Sequence, residues 1–148
     1  MKTTKLARYT SILTAFLLML VASQSAFAQD RYIEQVRLQL DPPPRFILGE
    51  RTHDYRFDFL DEGESGWYTL TLRAGWDYEL LGACDEDCSD IDLWIYDEYG
   101  NLIDSDELLD DYPLVEVSPL RTGEYGVRLK MYTCDVEPCR AGLAVYGR

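Results

Sequence analysis

The chain has 148 residues, with 27 acidic against 14 basic side chains and one histidine, for a formal charge of −13. A surface this acidic repels nucleic acid and anionic membranes and attracts cations or basic partners, so nucleic-acid binding is excluded first. Hydrophobic residues make up 47% of the chain and aromatics 13%, which is enough apolar material for one packed core and too much for a disordered chain.

Residues 1–28 read as a cleavable secretory signal: Lys2, Lys5 and Arg8 precede an apolar run from Leu13 to Ala22, and Ala26-Phe27-Ala28 supplies the small-x-small site. The run is too short to span a bilayer, and Gln29 rather than a cysteine follows, so neither membrane insertion nor a lipid anchor is expected. Removing it leaves 120 residues. Three of the 14 basic residues and none of the 27 acidic ones lie in that segment, so 11 against 27 gives −16. The expected destination is periplasmic or extracellular.

Between Asp30 and Leu40 two periods compete. Ile33, Val36 and Leu40 form a helical face behind an Asp30 cap, whereas Val36, Leu38 and Leu40 fit a strand; a short helix is preferred. Asp41-Pro42-Pro43-Pro44 ends it, since successive prolines remove donors and hold the backbone extended. Residues 29–44 are therefore expected to form an N-terminal segment and proline-rich linker, and residues 45–148 the main domain.

From Arg45 onward the alternation has a period of two. Tyr55, Phe57 and Phe59 alternate with Arg56 and Asp58, Tyr68, Leu70 and Leu72 with Thr69 and Thr71, and Trp76, Tyr78 and Leu80 with Asp77 and Glu79. Turn signals separate these runs at residues 61–66 and at Ala74-Gly75. Ile91, Leu93 and Ile95 alternate with Asp90, Asp92, Trp94 and Tyr96. The strand should end at Asp97 to Asn101, where Gly100 permits a tight turn and Asn101 to Asp104 returns as a hairpin. Later strands are expected over Leu114–Val117, Tyr125–Tyr132 and Gly142–Tyr146. Short strands at this spacing, with no convincing interior helix, predict an all-β fold, an antiparallel β-sandwich of two sheets.

The chemistry concentrates around Cys84. Four cysteines in an exported chain imply disulfides, and of three possible connectivities closeness in sequence favours Cys84 with Cys88 and Cys134 with Cys139. Such short loops remove little unfolded-state entropy, so the bridges should shape loops more than hold the fold. A four-thiolate zinc site is the rival reading. Asp85, Glu86, Asp87, Asp90 and Asp92 crowd five acids into eight positions, which favours either full hydration or a bound cation, and hard oxygen ligands suit calcium. The expected ligands are Asp85, Asp87, Asp90 and Asp92, with Asp97 and Asp104 as possible additions, although Asp and Asn at such places also cap turns. The loop lacks the glycine and the closing glutamate of an EF-hand. The acidic run from Asp104 to Asp111 reads as a solvated loop.

His53 is the only histidine and has no nucleophile paired with it in sequence, so it reads as a surface residue. Carboxylate pairs for glycoside cleavage can be drawn anywhere among 27 acids and carry no specificity. Among Trp67, Trp76 and Trp94, the last stands on the wet face beside Asp92 and is the candidate ligand surface for a sugar or a protein.

The run Asp90-Ile91-Asp92-Leu93-Trp94-Ile95-Tyr96-Asp97-Glu98-Tyr99-Gly100-Asn101, the later Thr122-Gly123-Glu124-Tyr125-Gly126-Val127-Arg128-Leu129, and the strand Trp67 to Leu72 before Ala74-Gly75 together resemble the bacterial pre-peptidase C-terminal domain over about residues 48–146. This resemblance implies a β-sandwich of jelly-roll type, an accessory module of exported enzymes that in some members binds calcium or an extracellular polymer. The 148 residues hold no peptidase domain, and the two cysteine pairs resemble a free-standing secreted subgroup. The expected function is therefore a non-catalytic secreted binding domain, calcium-stabilised, engaging a protein or a polysaccharide. The alternatives are a small secreted hydrolase using carboxylates and an acidic secreted inhibitor or assembly subunit with a basic partner.

Overall fold

The computed structural model describes residues 31–42 and 49–148, so the expected signal segment, the Asp30 cap and most of the proline run lie outside the described residues. Residues Ile33–Arg148 form one compact unit. Of the other unit, Met1–Tyr32, only Arg31 and Tyr32 are described, with the Arg31 guanidinium 5.0 Å from the Tyr32 ring centroid. A helix, α1, covers residues 31–39. It is followed by β1 (Glu50–Arg51), β2 (Arg56–Leu60), β3 (Ser65–Leu72), β4 (Tyr78–Cys84), β5 (Cys88–Tyr96), β6 (Leu102–Asp106), β7 (Leu114–Val117), β8 (Gly123–Cys134) and β9 (Cys139–Gly147).

The strands form two antiparallel sheets, one ordered β1-β9-β4-β7 with β2 also paired to β9, the other ordered β3-β8-β5-β6. The expected antiparallel sandwich is what the chain adopts. Period-two alternation sends Leu70 and Leu72, Ile91, Leu93 and Ile95, and Val127, Leu129 and Met131 inward from one sheet. They meet Leu80, Val115, Leu143 and Val145 from the other in a single core.

Strand β4 departs from the expected alternation, because all seven of its residues are buried. The cause is α1. Val36 and Leu40 of the helical segment pack with Leu81, Ala83, Ala144 and Tyr146 in a second apolar cluster, which Tyr55, Phe57 and Leu114 extend. The sheet is thus covered on both faces, and Phe57 of β2 turns toward the helix side. Gly142 makes the close approach possible, since a Cβ there would lie within 2.8 Å of both Val36 and Leu40. The end of the helix is tied by two tyrosine hydroxyls. Tyr146 donates to the carbonyl of Leu40 at 2.7 Å and Tyr112 to that of Gln39 at 2.8 Å, partnering acceptors that a helix terminus leaves open.

The two sheets are also joined at one edge. Strand β7 ends its sheet, and its outward N–H groups would be bare without partners. Asp104 and Asp106 of β6 supply them: Glu116 N–H donates to Asp104 Oδ2 at 2.8 Å and Leu114 N–H to Asp106 Oδ2 at 2.9 Å. At one end the disulfides Cys84–Cys88 and Cys134–Cys139 close the β4–β5 and β8–β9 loops, in the pairing favoured from the sequence. Cys88 and Cys134 are register partners, so the loops lie side by side, and Asp135 N–H donates to the Asp87 carbonyl at 2.8 Å.

Because Leu40 is fully buried against the sheet, Leu40→Ala should cost about 2–5 kcal/mol in denaturant unfolding. Leu38, 63% exposed on the same helix, should cost no more than about 0.5 kcal/mol when changed to Ala. Equal effects would mean that α1 does not cover this face.

Candidate functional site

The acids expected to gather around a cation are placed on different tasks. Asp85 is buried, with Oδ2 accepting the Arg140 backbone N–H at 2.9 Å and the Arg140 guanidinium 3.9 Å away. Burial pushes its pKa up, against the opposing pull of Arg140. Asp87 is half-buried, and Asp92 stands on β5 opposite Lys130 of β8. One oxygen each of Asp85 and Asp90, Oδ1 in both, is buried without a hydrogen-bond partner. Among the described residues, no three metal-binding side chains come together to hold an ion.

The two additional candidates act as local staples. Asp97 Oδ1 accepts the N–H groups of Tyr99 at 2.9 Å and Asn101 at 2.8 Å, and Oδ2 accepts the Asn101 side chain at 2.8 Å. The Asn101 side-chain hydrogen bond is the main reason its pKa is lowered. Asp104 holds the edge of β7 as described above.

Asp92 is the unusual carboxylate. It is 5% exposed, and burial foremost, followed by Asp90, Glu107 and Asp106, pushes its pKa up to about 6 while Lys130 opposes the rise. A folded pKa above the unfolded 3.8 means that the native state keeps a proton the unfolded chain releases. The associated stability is full below about 4 and is lost as the pH rises through about 6. In chelated buffer, Asp92→Asn should therefore melt higher than the wild type at pH 7, with that advantage shrinking toward pH 4. A difference in melting temperature independent of pH would contradict this.

The outer face of the β3-β8-β5-β6 sheet carries a row of stacked groups. Trp94 lies on this face as the alternation predicts, but it is only 8% exposed. Its indole N–H donates to Glu107 Oε1 at 2.8 Å, and the Arg128 guanidinium covers the ring 4.9 Å from its centroid. The wet position expected for Trp94 is thus closed by side chains from other segments. Arg128, held by Ser65 Oγ at 3.1 Å, also reaches to 5.7 Å from the Trp67 ring. Trp67, 62% exposed and 5.9 Å from Tyr96, is the open indole of the row.

Beyond Tyr96 the face runs into a cleft of about 490 Å³ between the β5–β6 turn and the β7–β8 connection. Ile103, Val117, Leu120 and Tyr125 give it apolar walls, and three acids, Asp97, Glu98 and Glu124, outnumber the one base, Arg121, in an acidic rim. A groove of about 450 Å³ beside Trp67 and Tyr96 shares those three acids and Tyr125 as walls. Tyr99 at 75% and Leu120 at 95% exposure stand at its mouth. Sequence reasoning weighed Trp67 but preferred Trp94, and it missed Tyr99 and Leu120. The available signal was a leucine, Leu120, in a turn otherwise built of polar and small residues, Arg121-Thr122-Gly123.

His53 is half-buried, with Nδ1 2.8 Å from Thr52 Oγ1 and Nε2 3.2 Å from the Thr71 carbonyl. Both ring nitrogens are engaged, and the carbonyl makes Nε2 the donor.

Fold and surface together define a disulfide-bridged β-sandwich domain with an acid-rimmed cleft. Among the described residues no helix is long and apolar enough to cross a membrane. No protein-family model and no curated protein matches the chain. Among solved structures, PliG of Aeromonas hydrophila, a periplasmic lysozyme inhibitor of g-type lysozyme, aligns with a TM-score of 0.47 at 12% identity. The alignment covers 64% of this chain and 85% of that one, and a likeness of that size bears on neither family nor ligand.

Proposed function

We propose that the chain is a non-catalytic exported binding module that takes a basic partner protein in the acid-rimmed cleft. The observation that carries this reading is the mouth of the cleft, where Tyr99 and Leu120 stand exposed beside Asp97, Glu98 and Glu124. Clustered exposed apolar side chains mark contact surfaces, and flanking charges of one sign steer a partner of the other. The net charge of −13 extends that steering over the whole molecule. Two disulfides suit an oxidising compartment. The resemblance to the pre-peptidase C-terminal domain belongs to this proposal as a free-standing binding module.

The test is a surface-plasmon-resonance screen of basic exported proteins against the wild type and Leu120→Asp. Binding to the wild type that weakens with salt, and about tenfold or more in Leu120→Asp, is the expected result. No binding across the panel, or equal binding by the variant, would contradict the proposal.

Calcium stabilisation enters the same reading on the partnerless Oδ1 atoms of Asp85 and Asp90, buried hard oxygens that a cation would satisfy. Further ligands would come from main-chain oxygens and water. Calcium at millimolar concentration should raise the melting temperature of the oxidised protein, and raise it less in Asp90→Asn/Asp92→Asn. A wild-type melting temperature unmoved by calcium would remove the ion from the account.

A further inference from the structure

Another pocket, of about 600 Å³, is walled by β1, the end of β3, the β3–β4 turn and the end of β9. It reverses the sign of the surface around it. In a chain of charge −13, the lining of the pocket has three bases, Arg51, Arg73 and Arg148, and one acid, Glu50, with Arg148 also bordering Asp77, Glu79 and Glu116 in a neighbouring hollow. It shares no residue with the acid-rimmed cleft.

Its frame is rigid and aromatic. Half-buried Trp76 stacks on Tyr78 with centroids 6.0 Å apart, and His53 meets Tyr78 edge-on at 6.5 Å. The Tyr78 hydroxyl accepts the Arg73 backbone N–H at 3.1 Å. Gly147 lets the Tyr78 ring lie against the backbone of β9, since a Cβ there would come within 2.9 Å of it. Arg51 is anchored by a hydrogen bond of 3.0 Å to the His53 carbonyl and lies over the Tyr55 ring at 4.2 Å. By contrast, among the described residues the Arg73 and Arg148 guanidiniums enter no hydrogen bond or ion pair. Two free donor forks therefore flank an indole.

We propose that this pocket binds an acidic sugar unit of an extracellular polysaccharide, with the sugar ring against Trp76 and its carboxylate on Arg73 and Arg148. A guanidinium presents paired N–H groups that match the two oxygens of a carboxylate, whereas the apolar ring faces of a sugar suit an aromatic wall. The acidic surface elsewhere repels such a polymer, so it is admitted at this pocket and not along the molecule. The site does not depend on the protein-partner reading.

Calorimetric titration of the oxidised protein with an oligogalacturonate tests the inference, beside a neutral galactan oligomer of equal length and sodium sulfate. The oligogalacturonate should bind, and both Arg73→Ala and Trp76→Phe should weaken it about tenfold or more, with Leu120→Asp unchanged. Arg73 is exposed, so Arg73→Ala keeps the fold and stays decisive if Trp76→Phe does not. No binding of the oligogalacturonate, equal binding of the neutral oligomer, equally tight binding of sulfate, or full affinity in Arg73→Ala would each overturn the proposal. Loss in Leu120→Asp instead would place the glycan in the cleft and overturn it too.

Discussion

The pairing of β5 with β8 is the constraint from which most of the molecule follows. Its register sets Ile91 opposite Met131, Leu93 opposite Leu129 and Ile95 opposite Val127, which makes the central inner surface of one sheet. The same register sets Asp92 opposite Lys130 and Trp94 opposite Arg128 on the outer surface. A slip of one residue would exchange the two sets and put charge into the core, so the apolar alternation enforces the polar contacts as well. It also brings Cys88 against Cys134 and so places the disulfide loops together.

The two sheets finish their outer faces in opposite ways. One is covered by α1, whose apolar residues turn a half-wet sheet into the middle layer of three. The other has no helix over it among the described residues and is closed in part by its own side chains, where Arg128 and Glu107 seal Trp94 and leave Trp67 open. Acidic residues take structural roles along the way. Asp97 ties a turn and Asp104 and Asp106 hold an edge strand, while Glu98 and Glu124 line the cleft.

The strands were legible because a half-buried strand writes its period into the sequence, as Ile91, Leu93 and Ile95 do. The disulfide pairing was legible from separation alone, and the Asp97 to Asn101 turn from its chemistry. Residues 31–40 fit two periods, and the helix preferred from the sequence is the form the chain takes, against the apolar outer face of β4 and β9. Two things were less legible. Neighbouring acids in a chain do not say where each side chain goes, and alternation and loop geometry place Asp85 by Arg140 and Asp92 opposite Lys130. The exposure of an indole depends on what crosses it from other strands, which local sequence around Trp94 and Trp67 cannot contain.

Acrylamide quenching of variants that each retain one indole, with the other two tryptophans changed to Phe, tests this register and its division of the outer face most directly. The Trp67-only protein should be quenched strongly and the Trp94-only protein should be shielded, as 62% and 8% exposure require. Equal quenching, or the reverse order, would contradict the pairing of β5 with β8 on which the account rests.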